Sequence, residues 1–504
     1  MTSRVLSADP EPPGSLPGRA GSTRGRLGPR TACWLLAAVS LGCEARPAAD
    51  LHQLYDRTVR AASPERNPVV LIPGISGSRL VEAGSGRVAW GGFFGRGLDP
   101  DTPEGMRLLA LPMRQGAALE ELRDEVLPAG VLDRIQVEFL GLPLELEAYA
   151  RILSVLGAGG YRDESLGLSG AVDYPEDHFT CFQFAWDWRL DLPANAARLE
   201  QFLDEKAEAV RRERDLRSPG AAAAPVEFDV VAHSMGGLLL RWYQAFGAAA
   251  LPPDGSLPSP SRAGAGRIGR AILVGPPNAG SLEALGSLLH GADLGTFLPR
   301  LEPGLIGTWP SVYQLLPRRR HGAVLGDTHG PPAALDLLDP ALWEEHGWGL
   351  LDARQDPVLA RLLPDIRTPE LRREVARDHL RKCLARAAVV QAALDDPRLQ
   401  PAGPGLDLIA GDATPTASVS RLDSATGELL AIEWAPGDGT VTRASALLDE
   451  RAAGGWQARL VSPIAWRRVL FLPEEHFRLT RDPAFADNVL FTLLEEPRSA
   501  TSPP

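Results

Sequence analysis

FDVVAHSMGGLLLRWY, residues 228–243, reads as a strand, a sharp turn and a helix. Phe228 to Val231 are apolar but for Asp229, which suits a short buried strand. Past the glycines, Leu238, Leu239, Leu240, Trp242 and Tyr243 form the apolar part of a helix. Ser234 occupies the turn between them. A serine held in a tight strand-to-helix turn is strained, so the residues two positions to either side must be small, and here they are Ala232 and Gly236. This is the pattern of a nucleophile elbow, which lifts a hydroxyl above the strand ends and points the first N–H groups of the helix toward a developing oxyanion. Small-Ser-small turns also arise by chance, and the first small residue here is alanine. What carries the reading is the hydrophobic strand before the turn and the helix after it.

Outward from this stretch, helices and apolar strands alternate. VVLIPGISGSRL, residues 69–80, is a buried-type strand that breaks at Pro73-Gly74 into a loop of small residues. Such a loop supplies a second oxyanion donor in serine hydrolases, which makes the N–H groups of Ile75 and Met235 the candidate pair. FTCFQFAWDWRLD, residues 179–191, reads as an aromatic strand in which Asp187 and Arg189 share a face and pair structurally. A helix is expected over 193–216, and RAILVGPPNAGS, residues 270–281, is a further strand and loop. LDLIAGDATPT, residues 406–416, resumes the sheet, and RRVLFLPEEHF, residues 467–477, is a final strand running into a loop. Alternation of this kind specifies a largely parallel sheet covered by helices on both faces, with ligands bound at the carboxyl ends of its strands.

Two long stretches interrupt the alternation. Residues 81–143 show neither a clear strand nor a clear helix period and read as a surface excursion or lid, whose Trp90, Phe93 and Phe94 either meet a lipid surface or pack on the core. Helical spacing follows over 144–156. Residues 290–398 read as a mostly helical cap, with Trp309, Leu315, Trp343 and Trp348 as candidates to line an apolar channel and Trp186 as a further substrate-side candidate.

An α/β-hydrolase fold, with cap insertions, orders its triad as nucleophile, acid, histidine. GDGTVT, residues 437–442, is a glycine-flanked turn after a mostly apolar run, so Asp438 is the favoured acid and Asp412 the alternative. Beyond that turn the only histidine is His476, which makes it the partner of Asp438. His233 adjoins the serine and reads as structural.

The net charge of −12 argues against a nucleic-acid partner, and 44% hydrophobic residues over 504 are ample for a large core. Cys33, Cys43, Cys181 and Cys383 lack metal-ligand spacing, so no metal is expected. Residues 32–42 form an apolar run behind Arg24, Arg26 and Arg30, too short to span a bilayer and matching a secretory signal. SLGC, residues 40–43, resembles a bacterial lipobox despite Ser40 and Leu41, making Cys43 a lipidation candidate and the cell envelope the expected location. An ordinary signal peptide, or a tail upstream of the true start, would serve as well. The division expected is an export segment over 1–43, a linker over 44–66, the hydrolase domain over 67–495 and a disordered polar tail over 496–504.

VVLIPGISGS, FAWDWRLD, AHSMGG, GPPNAGS, GDGTVT and LPEEHF, in this order, resemble the lecithin:cholesterol acyltransferase family, which includes lysosomal phospholipase A2 and phospholipid:diacylglycerol acyltransferase. The likeness spans roughly residues 67–495 and is firm at these six stretches. AHSMGG alone fits many lipases; WDWR joined to PGISGS and GDGTVT is far more particular. By position, the resemblance implies Ser234 as nucleophile, Asp438 and His476 as its partners, and Ile75 and Met235 as oxyanion donors. The chain departs from the animal members in having no cysteine between Cys43 and Cys181 for a disulfide-tied lid, and in Ala232 for the usual glycine.

The expected activity is transfer of an acyl chain from a phospholipid-type ester to an alcohol through an acyl-enzyme on Ser234, without a cofactor. A secreted lipase or phospholipase A is the alternative. A catalytically inert surface lipoprotein is a third reading, against which the retention of all three triad residues weighs. The partners expected are a lipid substrate and a membrane or lipid surface; the sequence leaves the oligomeric state open.

Overall fold

Six strands pair in parallel throughout: Val69–Ile72 (β1), Cys181–Gln183 (β2), Phe228–His233 (β3), Ile268–Val274 (β4), Leu406–Gly411 (β5) and Trp466–Leu472 (β6), in the spatial order β6-β5-β4-β3-β1-β2. The computed structural model describes residues 51–498 apart from 61–65, 93–98, 101, 133, 140–141, 148, 168–177, 218–224, 294–299, 327–332, 400–404, 424–425 and 454–456. The expected export segment with Cys43, the residues Phe93 and Phe94, and residues 499–504 of the expected tail lie outside the described residues; Glu496 and Arg498, at the start of that tail, are instead paired with Arg468 at 2.6 Å and Asp229 at 2.7 Å.

Alternation along each strand explains why the strands read as unbroken apolar runs. Val70, Ile72, Val230, Ala232 and Leu273 enter one core, while Val69, Leu71, Val231, Ile272 and Val274 enter another on the opposite face. Helices cover both faces. On the first lie Leu192–Arg217 (α1), which buries Ala196, Leu199, Leu203 and Val210, and Met235–Phe246 (α2), buried along its whole length. Ala150–Ala158 and Pro483–Leu490 cover the second.

The strand order reverses between β1 and β3, which are neighbours although β2 lies between them in sequence. Loops leaving β1 and β3 diverge there and open a crevice at the carboxyl ends, the place where such sheets bind ligands. Ser234 follows β3 directly, and Pro73-Gly74 follows β1.

Local structure differs from the sequence reading at several places, beginning with the expected linker, where Leu51–Arg60 is a helix that buries Tyr55 and Val59. The stretch 78–147 contains strands after all: Ser78–Glu82 pairs antiparallel with Val88–Trp90 and Val126–Val131, and Arg134–Phe139 pairs with Leu142–Glu147. The helix expected from 144 therefore starts later, at Ala150. The aromatic strand at 179–191 stops at Gln183, because the chain turns to place Trp186, Asp187, Trp188 and Arg189 in the core. Beyond β5, the chain leaves the sheet as an antiparallel hairpin, Thr414–Leu422 with Leu429–Gly437, that returns to Asp438. The second insertion is helical as read, and its long helix, Pro369–Leu394 (α3), is capped by Thr368. No helix among the described residues is long and apolar enough to cross a membrane.

Candidate active site

Ser234 sits at φ 53° and ψ −127°, a left-handed backbone that a serine adopts only under constraint. The constraint is visible. Its N–H donates to the Val274 carbonyl at 2.7 Å, and the Gly237 N–H donates back to its own carbonyl at 2.9 Å. Gly236 lies against the end of β1 so closely that a Cβ there would stand 2.6 Å from the Pro73 oxygen, which is why the position after next must lack a side chain. Ala232 is fully buried and its methyl group is accommodated.

Two loops converge on this turn. The loop after β6 brings His476, whose Nε2 is 3.0 Å from Ser234 Oγ. The turn after the hairpin brings Asp438, whose Oδ2 is 2.8 Å from His476 Nδ1. These three side chains, 242 residues apart at the extremes, form one hydrogen-bonded line, and all are buried. Gly275, at the end of β4, makes room for it, since a Cβ there would lie 3.1 Å from His476 Cε1. Asp438 is fixed from behind: its Oδ1 accepts from the N–H groups of Val441 at 2.7 Å and Thr440 at 3.0 Å, and its carbonyl accepts from the His476 N–H at 2.9 Å. Ser281, in the GPPNAGS loop, donates to the Thr440 carbonyl at 2.6 Å and so steadies the same turn. Burial pushes the Asp438 carboxyl up, but the imidazole and the two N–H groups outweigh it and hold its pKa below the usual carboxylate range. An ionised Asp438 keeps a proton on His476 Nδ1, which leaves Nε2 free to accept from the serine. Asp412, the alternative acid, is turned away from this line and pairs with Arg443 at 3.1 Å.

Neither a family profile nor a curated protein sequence matches the chain. Among solved structures it is similar to a chain of the Tle4–Tli4 complex, at 14% identity and a TM-score of 0.50, over 85% of this chain and 98% of that one. Bacillus licheniformis lipase BlEst2 in its mature form is 12% identical over 86% of this chain and 93% of that one, with a TM-score of 0.30. The all-parallel sheet, its reversal between β1 and β3, and the serine turn at the end of β3 decide the architecture. The chain has the α/β-hydrolase fold.

In this hydrolase fold the N–H groups of Ile75 and Met235 donate to no group among the described residues. Met235 is the first residue of α2, where N–H groups have no helical acceptor.

The tryptophans expected at the lipid side are elsewhere. Trp90, Trp186, Trp309, Trp343 and Trp348 are all at most 5% exposed. Each indole N–H is occupied by a backbone carbonyl: Ser76 for Trp90, Pro73 for Trp186, Leu109 for Trp309, Leu337 for Trp343 and Gly427 for Trp348. Trp343 packs edge-on against Trp348 at 5.8 Å, and Leu315 is buried with them. These side chains are part of the main hydrophobic core. An indole with a buried carbonyl to satisfy is better placed in the core than at a surface.

Sequence reading missed Tyr149, Trp188 and Phe477. Tyr149 and Trp188 reach the loop after β1 from elements distant in sequence, and no local signal marks them. Phe477 adjoins His476, stacks edge-on with it at 5.3 Å, and is 65% exposed. Among the described residues no group of His, Cys, Asp and Glu is placed to hold a metal.

Proposed function

We propose that this protein cleaves a carboxylic ester of a lipid through an acyl-enzyme on Ser234. The observation that carries the reading is the line from Asp438 through His476 to Ser234, at 2.8 and 3.0 Å, beside two free N–H groups. His476 Nε2 takes the proton of Ser234 Oγ as that oxygen attacks the ester carbonyl carbon. The carbonyl oxygen becomes an oxyanion held by the N–H groups of Ile75 and Met235. On collapse the ester C–O bond breaks and the leaving alcohol takes the proton from His476, giving the acyl-serine. A second alcohol or water then attacks the acyl carbon, His476 accepts its proton and returns it to Ser234 Oγ, and the acyl chain leaves as a new ester or a free acid. Asp438 orients the imidazole and balances its transient charge.

The lipid nature of the ester is supported by the six stretches resembling lecithin:cholesterol acyltransferases and by the exposed Phe477 ring at the edge of the site. The same resemblance supports the finer reading, transfer to an alcohol in preference to water. Ser234→Ala tests the foundation. Wild-type protein should be labelled by a fluorophosphonate and hydrolyse p-nitrophenyl butyrate; the variant should take no label and lose activity by on the order of a thousandfold or more. Undiminished labelling and turnover in Ser234→Ala would overturn the reading.

A further inference from the structure

Aromatic side chains grip the loop after β1, and the start of the strand that follows it, at four backbone groups. Trp186 Nε1 donates to the Pro73 carbonyl at 2.9 Å, Trp90 Nε1 to the Ser76 carbonyl at 2.8 Å and Trp188 Nε1 to the Ser78 carbonyl at 3.1 Å. Ser76 is held at φ 57° between them. One grip differs from the rest. The Gly74 N–H, adjacent to Ile75, donates to the hydroxyl of Tyr149 at 2.8 Å, and that hydroxyl lies 3.2 Å from His233 Nδ1. His233 Nε2 in turn lies 3.4 Å from the carbonyl of His476. All of these groups are buried.

Counting protons gives this chain a direction. The His476 carbonyl can only accept, so a neutral His233 holds its proton on Nε2 and leaves Nδ1 to accept from Tyr149 Oη, whose lone pair takes the Gly74 N–H. Burial favours that neutral form, pushing the His233 pKa down to about 3, and it raises the Tyr149 phenol, which stays protonated. Packing fixes the rings as well: His233 contacts Tyr149 at 5.6 Å and His476 at 4.9 Å between centroids. Gly77 admits the phenol, since a Cβ there would stand 2.7 Å from Tyr149 Oη, and a Cβ on Gly74 would stand 2.8 Å from Ser234 Cβ.

We propose that Tyr149 and His233 are positioning residues that tie the loop carrying the Ile75 donor to the backbone of His476, so that one hydrogen-bonded chain sets the oxyanion donor and the base together. This inference rests on the acyl-enzyme reading above. It gives His233 a purpose that a structural neighbour of the serine would not have. Neither residue touches the reacting atoms; both act through Gly74, Ile75 and His476.

Tyr149→Phe keeps the ring and removes the link. With p-nitrophenyl butyrate as substrate and active sites counted by saturating fluorophosphonate, kcat per labelled site should fall about tenfold or more while KM changes little, because the interaction lost is one made in the transition state. Inhibition by butylboronic acid, whose serine adduct presents an oxyanion to the same donors, should weaken by a similar factor. His233→Gln, which keeps an N–H donor toward His476, should recover part of the loss seen in His233→Leu. Combining Tyr149→Phe with His233→Leu should cost little more than His233→Leu alone, since both break one chain. If wild-type protein is labelled at Ser234 but Tyr149→Phe retains full kcat per site and full boronate affinity, the positioning inference fails and the acyl-enzyme reading stands. If kcat and KM deteriorate together and the two substitutions add, the residues merely support the fold and the inference fails likewise. Absence of Ser234-dependent labelling in wild-type protein would instead remove the underlying reading.

Discussion

Asp438 shows how much a single side chain in this site is asked to do. It accepts from His476 through Oδ2 and from two N–H groups of its own turn through Oδ1, and only a carboxylate accepts on both oxygens. Asp438→Asn keeps the shape but can present an N–H to His476 Nδ1, which would shift the imidazole proton to Nε2 and leave the serine without an acceptor. The expected loss in kcat on p-nitrophenyl butyrate is roughly 10³ to 10⁴. Stability should respond to pH with a definite sign. The folded-state pKa lies below the ordinary 3.8, so the carboxylate's contribution is fully present above that value and is lost as pH falls through the folded pKa. Urea unfolding at several pH values should show wild type and Asp438→Asn separated by a constant margin above pH 3.8 that shrinks below it; a margin that grows on acidification would contradict the assignment. At this scale the sequence was informative where chemistry is local or ordered. Ser234 declared itself through its immediate neighbours, and Asp438 with His476 through chain order after a glycine turn. Tyr149 did not, because its partners Gly74 and His233 lie 75 and 84 residues away and nothing beside it in the chain records them.

Among elements, the segment that follows β2 is a node. Arg189 is fully buried, pairs with Asp187 through Nε at 3.0 Å and Nη2 at 2.9 Å, and reaches Asp124 at 2.8 and 3.0 Å. It also donates to the Leu108 carbonyl at 3.1 Å. One guanidinium thus fastens the first insertion to the central sheet, and its planar fork matches two carboxylates at once. Arg189→Leu leaves both carboxylates without their cation, and breaking such a pair costs about 3–5 kcal/mol. Chemical denaturation should register a loss of that order. A change below about 0.5 kcal/mol, the size of an ordinary surface substitution, would show that the insertion is held by packing alone. The Asp187–Arg189 pair was legible from spacing, yet the reason given for it, a continuing strand, was not the one that operates. Strands in the first insertion were missed for a related reason: they are short, edge-like and interrupted by residues such as Pro128 and Gly130, so period-two alternation never accumulates. Buried parallel strands have the opposite property and were visible at once.

For the molecule as a whole, the acyl-enzyme proposed above has two fates, attack by water or by an alcohol. Hydrolysis and transfer share every step up to the acyl-serine, so no residue of the Ser234 line distinguishes them. Partition depends on how well water is kept from the acyl-enzyme while an alcohol is admitted. Ser234 is 8% exposed and His476 4%, while Phe477, next to His476 in the chain, is 65% exposed. A nearly buried nucleophile with an exposed apolar ring close by suits an ester and an acceptor that both arrive from a lipid surface. Vesicles of phospholipid labelled in the acyl chains, mixed with a long-chain alcohol, should therefore yield labelled ester at least as fast as labelled free acid, and Ser234→Ala should yield neither. Phe477→Ser should lower vesicle turnover relative to p-nitrophenyl butyrate turnover by about tenfold, the equivalent of roughly 1.4 kcal/mol of apolar contact. Free acid as the sole product across several alcohols would make the protein a lipase or phospholipase, with the same serine, the same oxyanion donors and water as its acceptor.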